Sequence, residues 1–235
     1  MLQLFIIFHK KIFDECYINI PQDILYTYFT FIAVNEKIPK EYTEKKYKVI
    51  KEWEMPVYDS TFQERGYNEN SAIYHVYANK LHAPYKYVGF FQYDMVFKDN
   101  VVEFIQNNMV NSPHYFSLDL YSFDFCYQTW GEEKTCQFIL NNYQEYFGKE
   151  FVFDKEYPLY NAFVLPTDIF IKIMKWVSQL YAKLYPWCLE PPFSFRPFPH
   201  IGGIYERVMA FAVAQENLYS IPLNISHDHE YKRLN

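Results

Sequence analysis

Asp94 lies in a segment, residues 88–97 (V-G-F-F-Q-Y-D-M-V-F), whose apolar run is interrupted by Gln92, Tyr93 and Asp94 itself. A strand buried on both faces reads as a continuous apolar run. A carboxylate at the end of such a run must be paired, protonated or bound to a cation, because an isolated buried charge is very costly. Asp94 is therefore the leading metal-ligand candidate, against the plainer reading of a strand-end Asp in a solvated turn. His227 and His229 lie near the C-terminus. With Asp94 they form an oxygen and imidazole donor set suited to Mn²⁺ or another divalent ion. A diphosphate would supply further oxygens, so few protein ligands are required. The alternative for both histidines is a terminal tail with no ligand role.

A second candidate is Gly202-Gly203-Ile204-Tyr205-Glu206-Arg207. Glycines let a ligand approach the backbone closely. Glu206 is expected in the first turn of a helix, near its positive end, where a carboxylate facing a cleft can accept a proton from a hydroxyl nucleophile. The competing reading is a helix-terminal charge paired with the dipole or with Arg207. Lys10 and Lys11 follow the first apolar run and are placed to face phosphate, or else to sit in a solvated turn.

The elements that must position these groups follow from the apolar pattern. Strands are expected over 2–8, 29–34, 87–93, 115–121, 159–165 and 219–225. Helices are expected over 71–81, 101–110 and 132–146, and over a long stretch capped by Thr167, with apolar residues at three- and four-residue spacing. Residues 186–199 are proline-rich and read as a surface loop. Gly202-Gly203 opens a last helix to about Gln215. Strands alternating with helices predict an α/β fold with a mainly parallel central sheet flanked by helices, in one domain spanning 1–235. In open α/β sheets ligands bind outside the carboxyl ends of the strands. His9, Asp94 and His227 all follow strands in this reading.

Composition removes several function classes. The chain has 235 residues, a formal net charge of −6, 24 Tyr and 23 Phe. That aromatic content with few glycines describes an ordered core-forming chain. No basic face suited to nucleic acid is visible, and the Lys-rich segment 37–51 is interleaved with Glu36, Glu41 and Glu44. The cysteines Cys16, Cys126, Cys136 and Cys188 form no C-x-x-C pair, which argues against structural zinc and for free thiols in a reducing compartment. No apolar run is long enough to span a bilayer. A cytoplasmic protein is expected (host cytoplasm if viral), with peripheral membrane contact left open. Phosphate-binding P-loop, dinucleotide and serine-hydrolase signatures are all missing.

With these residues in hand, the chain resembles GT-A type glycosyltransferases, and within them the capsular-polysaccharide and viral family of uncharacterised function. Phe8-His9-Lys10 stands where that family has a T-H-K-like end to its first strand. Residues 69–79, beginning Glu69-Asn70-Ser71, occupy an E-L-T-A-L-Y-W segment. Residues 88–97 stand at an I-G-L-x-H-Y-R-R-Y-F block. Tyr160-Asn161-Ala162-Phe163 matches Y-N-M-F, and Glu206-Arg207-Val208-Met209 matches E-R-L-F. The order of these short blocks is preserved over most of the chain. Gln92-Tyr93-Asp94 also resembles the D-x-D motif of metal-dependent enzymes of this type, with Gln92 replacing the first acid. Gly202-Gly203-x-x-Glu206 is similar to an acceptor and base motif of inverting galactosyltransferases, with Arg207 in place of its last acid.

The resemblance implies a Rossmann-like nucleotide-binding half and transfer of a sugar from a nucleotide sugar, expected to be a UDP-sugar, to a glycan or glycoprotein acceptor. It implies nucleotide contacts from Phe8, His9, Lys10, Gln92 and Tyr93. Mn²⁺ (or Mg²⁺) would be held by Asp94 and His227. Gly202, Gly203 and Arg207 would meet the acceptor, Glu206 would be the base of an inverting reaction, and aromatics in 193–198 would stack on the acceptor sugar. The missing first acid motivates the rival reading, a carbohydrate-binding or assembly protein that keeps the fold without turnover. A His/Asp metallohydrolase is the third reading.

Overall fold

Seven consecutive buried residues, Leu2–Phe8, form the first strand, β1. The structure is a computed structural model, and it describes residues 1–34, 46–109, 114–128, 133–188 and 201–228. β1 lies inside a seven-stranded sheet. Parallel to it on one side run β2 (Phe29–Ala33) and then β3 (Val49–Lys51). On its other side lies β4 (Tyr87–Gln92), also parallel, with Phe5 opposite Phe90. The chain thus builds β2 and β3 to one side of β1 and returns to build β4 on the other. The carboxyl ends of β1 and β4 mark the topological switch point, where the ligand crevice of an open α/β sheet is expected.

Beyond β4 come β9 (Phe163–Pro166), β6 (His114–Ser117) and β10 (Tyr219–Pro222). β9 is antiparallel to both neighbours, whereas β6 and β10 are parallel to each other. Gly89 in β4 has a packing reason. A Cβ there would come within 2.7 Å of Leu4 Cδ2 and 2.8 Å of Val164 Cγ2.

Alternation along β1 sends side chains to two cores. Phe5 and Ile7 join Val88, Phe90, Phe163 and Leu165. They pack against α3 (Glu69–Ala78), α6 (Glu133–Phe147), α7 (Thr167–Cys188) and α8 (Ile201–Ala214). Leu2, Leu4, Ile6 and Phe8 face the other layer, with Phe13, Tyr17, Leu25 from α1 (Gln22–Tyr28) and Val101, Val102 and Ile105 from α4 (Val101–Asn108). That second layer includes a two-stranded sheet in which β5 (Met95–Phe97) pairs antiparallel with β11 (Ile225–His227). A satellite core joins Cys126 of α5 (Phe123–Gln128) to Tyr157 of β8 (Tyr157–Pro158) and Phe211 of α8. β8 pairs with β7 (Leu120–Tyr121), and the short α2 covers Thr61–Glu64.

The α/β class, the mainly parallel sheet and most elements agree with the sequence reading, and the differences have local causes. The strand expected over 159–165 begins only at Phe163, because Tyr160 and Asn161 adopt φ of +65° and +50°, incompatible with extended backbone. The last expected strand, 219–225, divides in two. Pro222 cannot donate to a ladder, and after it the chain leaves β6 for β5. His227 is therefore the final residue of β11 rather than a residue after a strand. α7 continues two residues past Pro186, so the proline-rich segment expected as a loop begins inside the helix's last turn. Thr167 opens α7 without acting as a side-chain cap. Its Oγ1 is buried with no hydrogen-bond partner among the described residues, while its backbone N donates to Lys86 O at 2.9 Å. Among the described residues no helix is long and apolar enough to cross a membrane.

Candidate active site at the carboxyl end of the sheet

β4 delivers Gln92, Tyr93 and Asp94 to the switch point, and a tight turn sends the chain straight into β5. Because β11 pairs with β5, with His227 opposite Met95, residues 133 apart in sequence meet. His227 Nε2 lies 2.8 Å from Asp94 Oδ2, with the His227 side chain 8% exposed and that of Asp94 1%. The backbone closes the same junction, with Asp228 N donating to Asp94 O at 2.9 Å. Asp94 Oδ1 is buried without a hydrogen-bond partner among the described residues. An acceptor left this way carries a desolvation cost, and a bound cation would relieve it.

The pair suits a divalent cation on two counts. Carboxylate oxygen and imidazole nitrogen are donors that Mn²⁺ accepts. Two neighbouring ligands of an octahedral ion, each about 2.1 Å from the metal, stand roughly 3 Å apart, close to the spacing observed here. Among the described residues no third His, Cys, Asp or Glu completes a protein-only cluster, so remaining positions would fall to water or substrate oxygens. His229 and residues 193–198 lie outside the described residues.

Cys16 borders the pair, with its Sγ 3.7 Å from Tyr93 O. Burial pushes its thiol up to about 12, and the Asp94 charge adds to the effect, so Cys16 stays a neutral packing group.

On the β1 side, His9 Nε2 lies 3.4 Å from Glu69 Oε1, and its ring meets Tyr93 edge-on at 5.8 Å. Glu69 stands in the first turn of α3. Lys10 and Lys11 are exposed beside it, with Lys11 Nζ 5.1 Å from the Phe13 ring centre. Phe8 differs from expectation. Its ring is fully buried in the second core and presents no face to a nucleotide.

Gln92 and the glycines are used in the scaffold. Gln92 Nε2 donates to Tyr160 O at 3.0 Å. Gly202 seats the start of α8 on the 66–68 loop, where a Cβ would lie 3.0 Å from Gly66 O and 3.1 Å from Tyr67 O. That contact gives glycine at 202 a packing reason. Asn70 Nδ2 donates to Gly202 O at 2.9 Å, and Asn161 Nδ2 donates to Asn70 Oδ1 at 3.4 Å, which joins α3, α8 and the turn before β9. Arg207 Nη1 donates to Gly203 O at 2.7 Å and lies 3.6 Å from Glu206 Oε1. Glu206 sits in the second turn of α8, not the first as expected, with 16% of its side chain exposed. Its charge and that of Arg207 reach Cys126 on α5.

The structure therefore brings Asp94 and His227 together and gathers His9 and Tyr93 near them. Glu206 and Arg207 belong to the α8 face turned toward α5. Tyr160, whose ring packs 4.9 Å from that of His227 and 5.9 Å from that of Tyr121, joins the two flanks. Sequence reasoning named Glu69, Asn70 and Tyr160 only within the blocks that carry the resemblance and gave them no role at the site. Asn161, a residue type tolerant of left-handed backbone, carried a local signal of the turn. A cavity of about 440 Å³ lies elsewhere, lined by Val49, Lys51, Met55 and Leu81 among others, and none of the candidate site residues borders it.

No family model matches the sequence, and no curated protein matches it either. Solved structures do. The apo structure of the bifunctional glycosyltransferase WbbM superposes with a TM-score of 0.59 at 13% identity, over 96% of this chain and 45% of that one. Mouse xyloside xylosyltransferase 1 (TM-score 0.41, 12% identity, 95% of this chain and 85% of that one) and the galactosyltransferase LgtC with donor and acceptor sugar analogues (TM-score 0.39, 12% identity, 96% and 86%) are more distant. The chain spans less than half of the WbbM chain that it matches. The chain has the fold of a GT-A type glycosyltransferase.

Proposed function

We propose that the protein is a metal-dependent glycosyltransferase that moves a sugar from a nucleotide-sugar donor, a UDP-sugar in the first instance, to a hydroxyl of a glycan acceptor. The observation that carries this reading is the buried Asp94–His227 pair, with its unpartnered carboxylate oxygen, at the switch point of a GT-A fold. Asp94 Oδ1 and Oδ2 and His227 Nε2 are the atoms offered to a divalent cation, and His227 has to bind it as neutral imidazole. A bound Mn²⁺ or Mg²⁺ would supply Lewis-acid stabilisation to a departing diphosphate. His9, held by Glu69, and the exposed Lys10 place positive or hydrogen-bonding groups beside the same crevice. Glu206 is the proposed base, taking the proton of the acceptor hydroxyl in an inverting displacement. The partial exposure of its carboxylate on the α8 flank supports that role.

The test is release of UDP from a panel of UDP-sugars with and without Mn²⁺. Metal-stimulated release is expected. No binding of any nucleotide sugar at millimolar concentration sinks the proposal. Glu206→Gln is expected to lower kcat by about 10²–10⁴-fold, and a change of only a few-fold removes Glu206 as base.

A non-catalytic carbohydrate-binding protein is the second reading, favoured by Gln92 at the place of an acid. It predicts glycan binding without release of UDP.

A further inference from the structure

Gln92 is the anomaly at this crevice, and the hydrogen bonds around it explain why an amide stands there. Its Nε2 donates to Tyr160 O at 3.0 Å. Tyr160 and Asn161 are consecutive non-glycine residues in left-handed backbone, at φ +65° and +50°. Such backbone persists only where surrounding contacts over-determine it. The turn is held from both sides. Gln92 takes its carbonyl from β4, and Asn70, itself bonded to Gly202 O, takes Asn161 from α3. Held there, the Tyr160 ring lies 4.9 Å from the His227 ring, and His227 Nε2 meets Asp94 Oδ2 at 2.8 Å. A carboxylate at 92 would set an acceptor against the Tyr160 carbonyl and lose the bond from Gln92 that ties this turn to β4.

We propose that Gln92 is a positioning residue that pins the left-handed Tyr160–Asn161 turn, so that the Tyr160 ring fixes the His227 imidazole against Asp94, and that it is not a vacated metal ligand. The proposal rests on the metal reading only for the affinity it predicts, since the orientation of His227 is a property of the metal-free protein. The pairing is the usual one in which a group outside the ligand set fixes the angle of an imidazole, except that the orienting contact is an aromatic face.

The experiment compares the parent with Gln92→Glu, Gln92→Met, Tyr160→Ala and Tyr160→Phe. Thermal unfolding first establishes that each is folded. Two readouts follow at one fixed pH. The ¹⁵N shifts of the His227 imidazole report its tautomer in metal-free protein, and electron paramagnetic resonance of free Mn²⁺ gives the ion's affinity. In Gln92→Met and Tyr160→Ala the His227 signals are expected to move toward a tautomer mixture, and Mn²⁺ to bind about tenfold more weakly. Tyr160→Phe keeps the ring and is expected to stay within about twofold of the parent, a conservative rescue on the same scale. Gln92→Glu is decisive by sign. Weaker Mn²⁺ binding supports the positioning role, whereas tighter binding means that position 92 is a ligand position lacking its acid and overturns the proposal. Unchanged His227 signals in both Gln92→Met and Tyr160→Ala also overturn it. If the parent binds no Mn²⁺ while the His227 signals respond as described, positioning by Gln92 stands and the metal reading fails.

Discussion

Among the described residues, two carboxylate–imidazole pairs of equal length lie in the interior, and only one of the two resembles a site. Glu52 Oε1 is 2.8 Å from His75 Nδ1, and both side chains are 0–1% exposed. Both carboxylate oxygens of Glu52 and both ring nitrogens of His75 have partners. Ser71 Oγ donates to Glu52 Oε1 at 2.6 Å and Gln63 Nε2 to Glu52 Oε2 at 2.8 Å, while His75 Nε2 accepts from Asp59 N at 3.0 Å. That last bond makes His75 a neutral donor through Nδ1. The network ties the segment after β3 to α3, the helix that presents Glu69 and Asn70. Asp94 and His227 are held as closely, yet Asp94 Oδ1 has no partner among the described residues. A satisfied buried network locks structure, and a half-satisfied one is costly unless something else completes it. Distance does not separate the two pairs and burial does so only slightly, with His227 8% exposed against His75 at 0%, but the accounting of acceptors does.

Removing one member of each pair is the strongest way to break this comparison. Glu52→Ala should cost about 3–5 kcal/mol, because it strands the buried donors of His75 and Ser71, at about 1–3 kcal/mol each, and the part-buried one of Gln63. For a chain of this size that lowers the thermal midpoint by about 6–20 °C, and calorimetry will measure it. Asp94→Asn should act in the opposite way. It is expected to weaken Mn²⁺ binding by about 100-fold or more, consistent with loss of several kcal/mol of ion contact, while the metal-free thermal midpoint does not fall. A midpoint that drops as far as in Glu52→Ala would place Asp94 in the scaffold and not in a site.

A smaller effect sharpens the contrast between packing and chemistry. Gly89→Ala should destabilise by about 1–3 kcal/mol through overpacking against Leu4 and Val164, with Mn²⁺ affinity of the folded protein unchanged by titration. The least effect is expected from the thiols. Burial raises Cys16 and Cys136 to about 12 and Cys126 to about 11. Native protein at pH 8 should therefore resist alkylation at all three over the hours in which denatured protein reacts fully, as peptide mass spectrometry will show.

Much of the frame was legible in local pattern. Apart from Gln3 and Gln92, residues 2–8 and 88–92 are apolar on both faces because both faces of the sheet are covered, and the spacing along α7 follows from its single buried stripe. Asp94 was legible for the same reason, as a charge where the pattern demanded apolar residues. The partner set was less so. Gly202 read as ligand access because a glycine's use depends on what approaches it, and here the approach comes from the backbone of Gly66 and Tyr67. Phe8 read as a nucleotide contact because it precedes His9, yet strand alternation turns its ring into the core. Glu206 was expected one turn too early, since the start of α8 is set by docking on the 66–68 loop.

The sequence by itself therefore determined the α/β class, the order of most elements and the acid that needs a partner. These depend on periodicity and on the cost of burying charge, and both can be read from neighbours along the chain. The resemblance already paired His227 with Asp94, and the tertiary structure decided how the two come within 2.8 Å of each other. That meeting depends on β11 leaving β10 at Pro222 to pair with β5. It also decided that Gln92 holds Tyr160, and that Glu52–His75 is closed while Asp94 is not. Each of these facts joins residues far apart in sequence, and hydrogen-bond satisfaction is a property of the assembled neighbourhood.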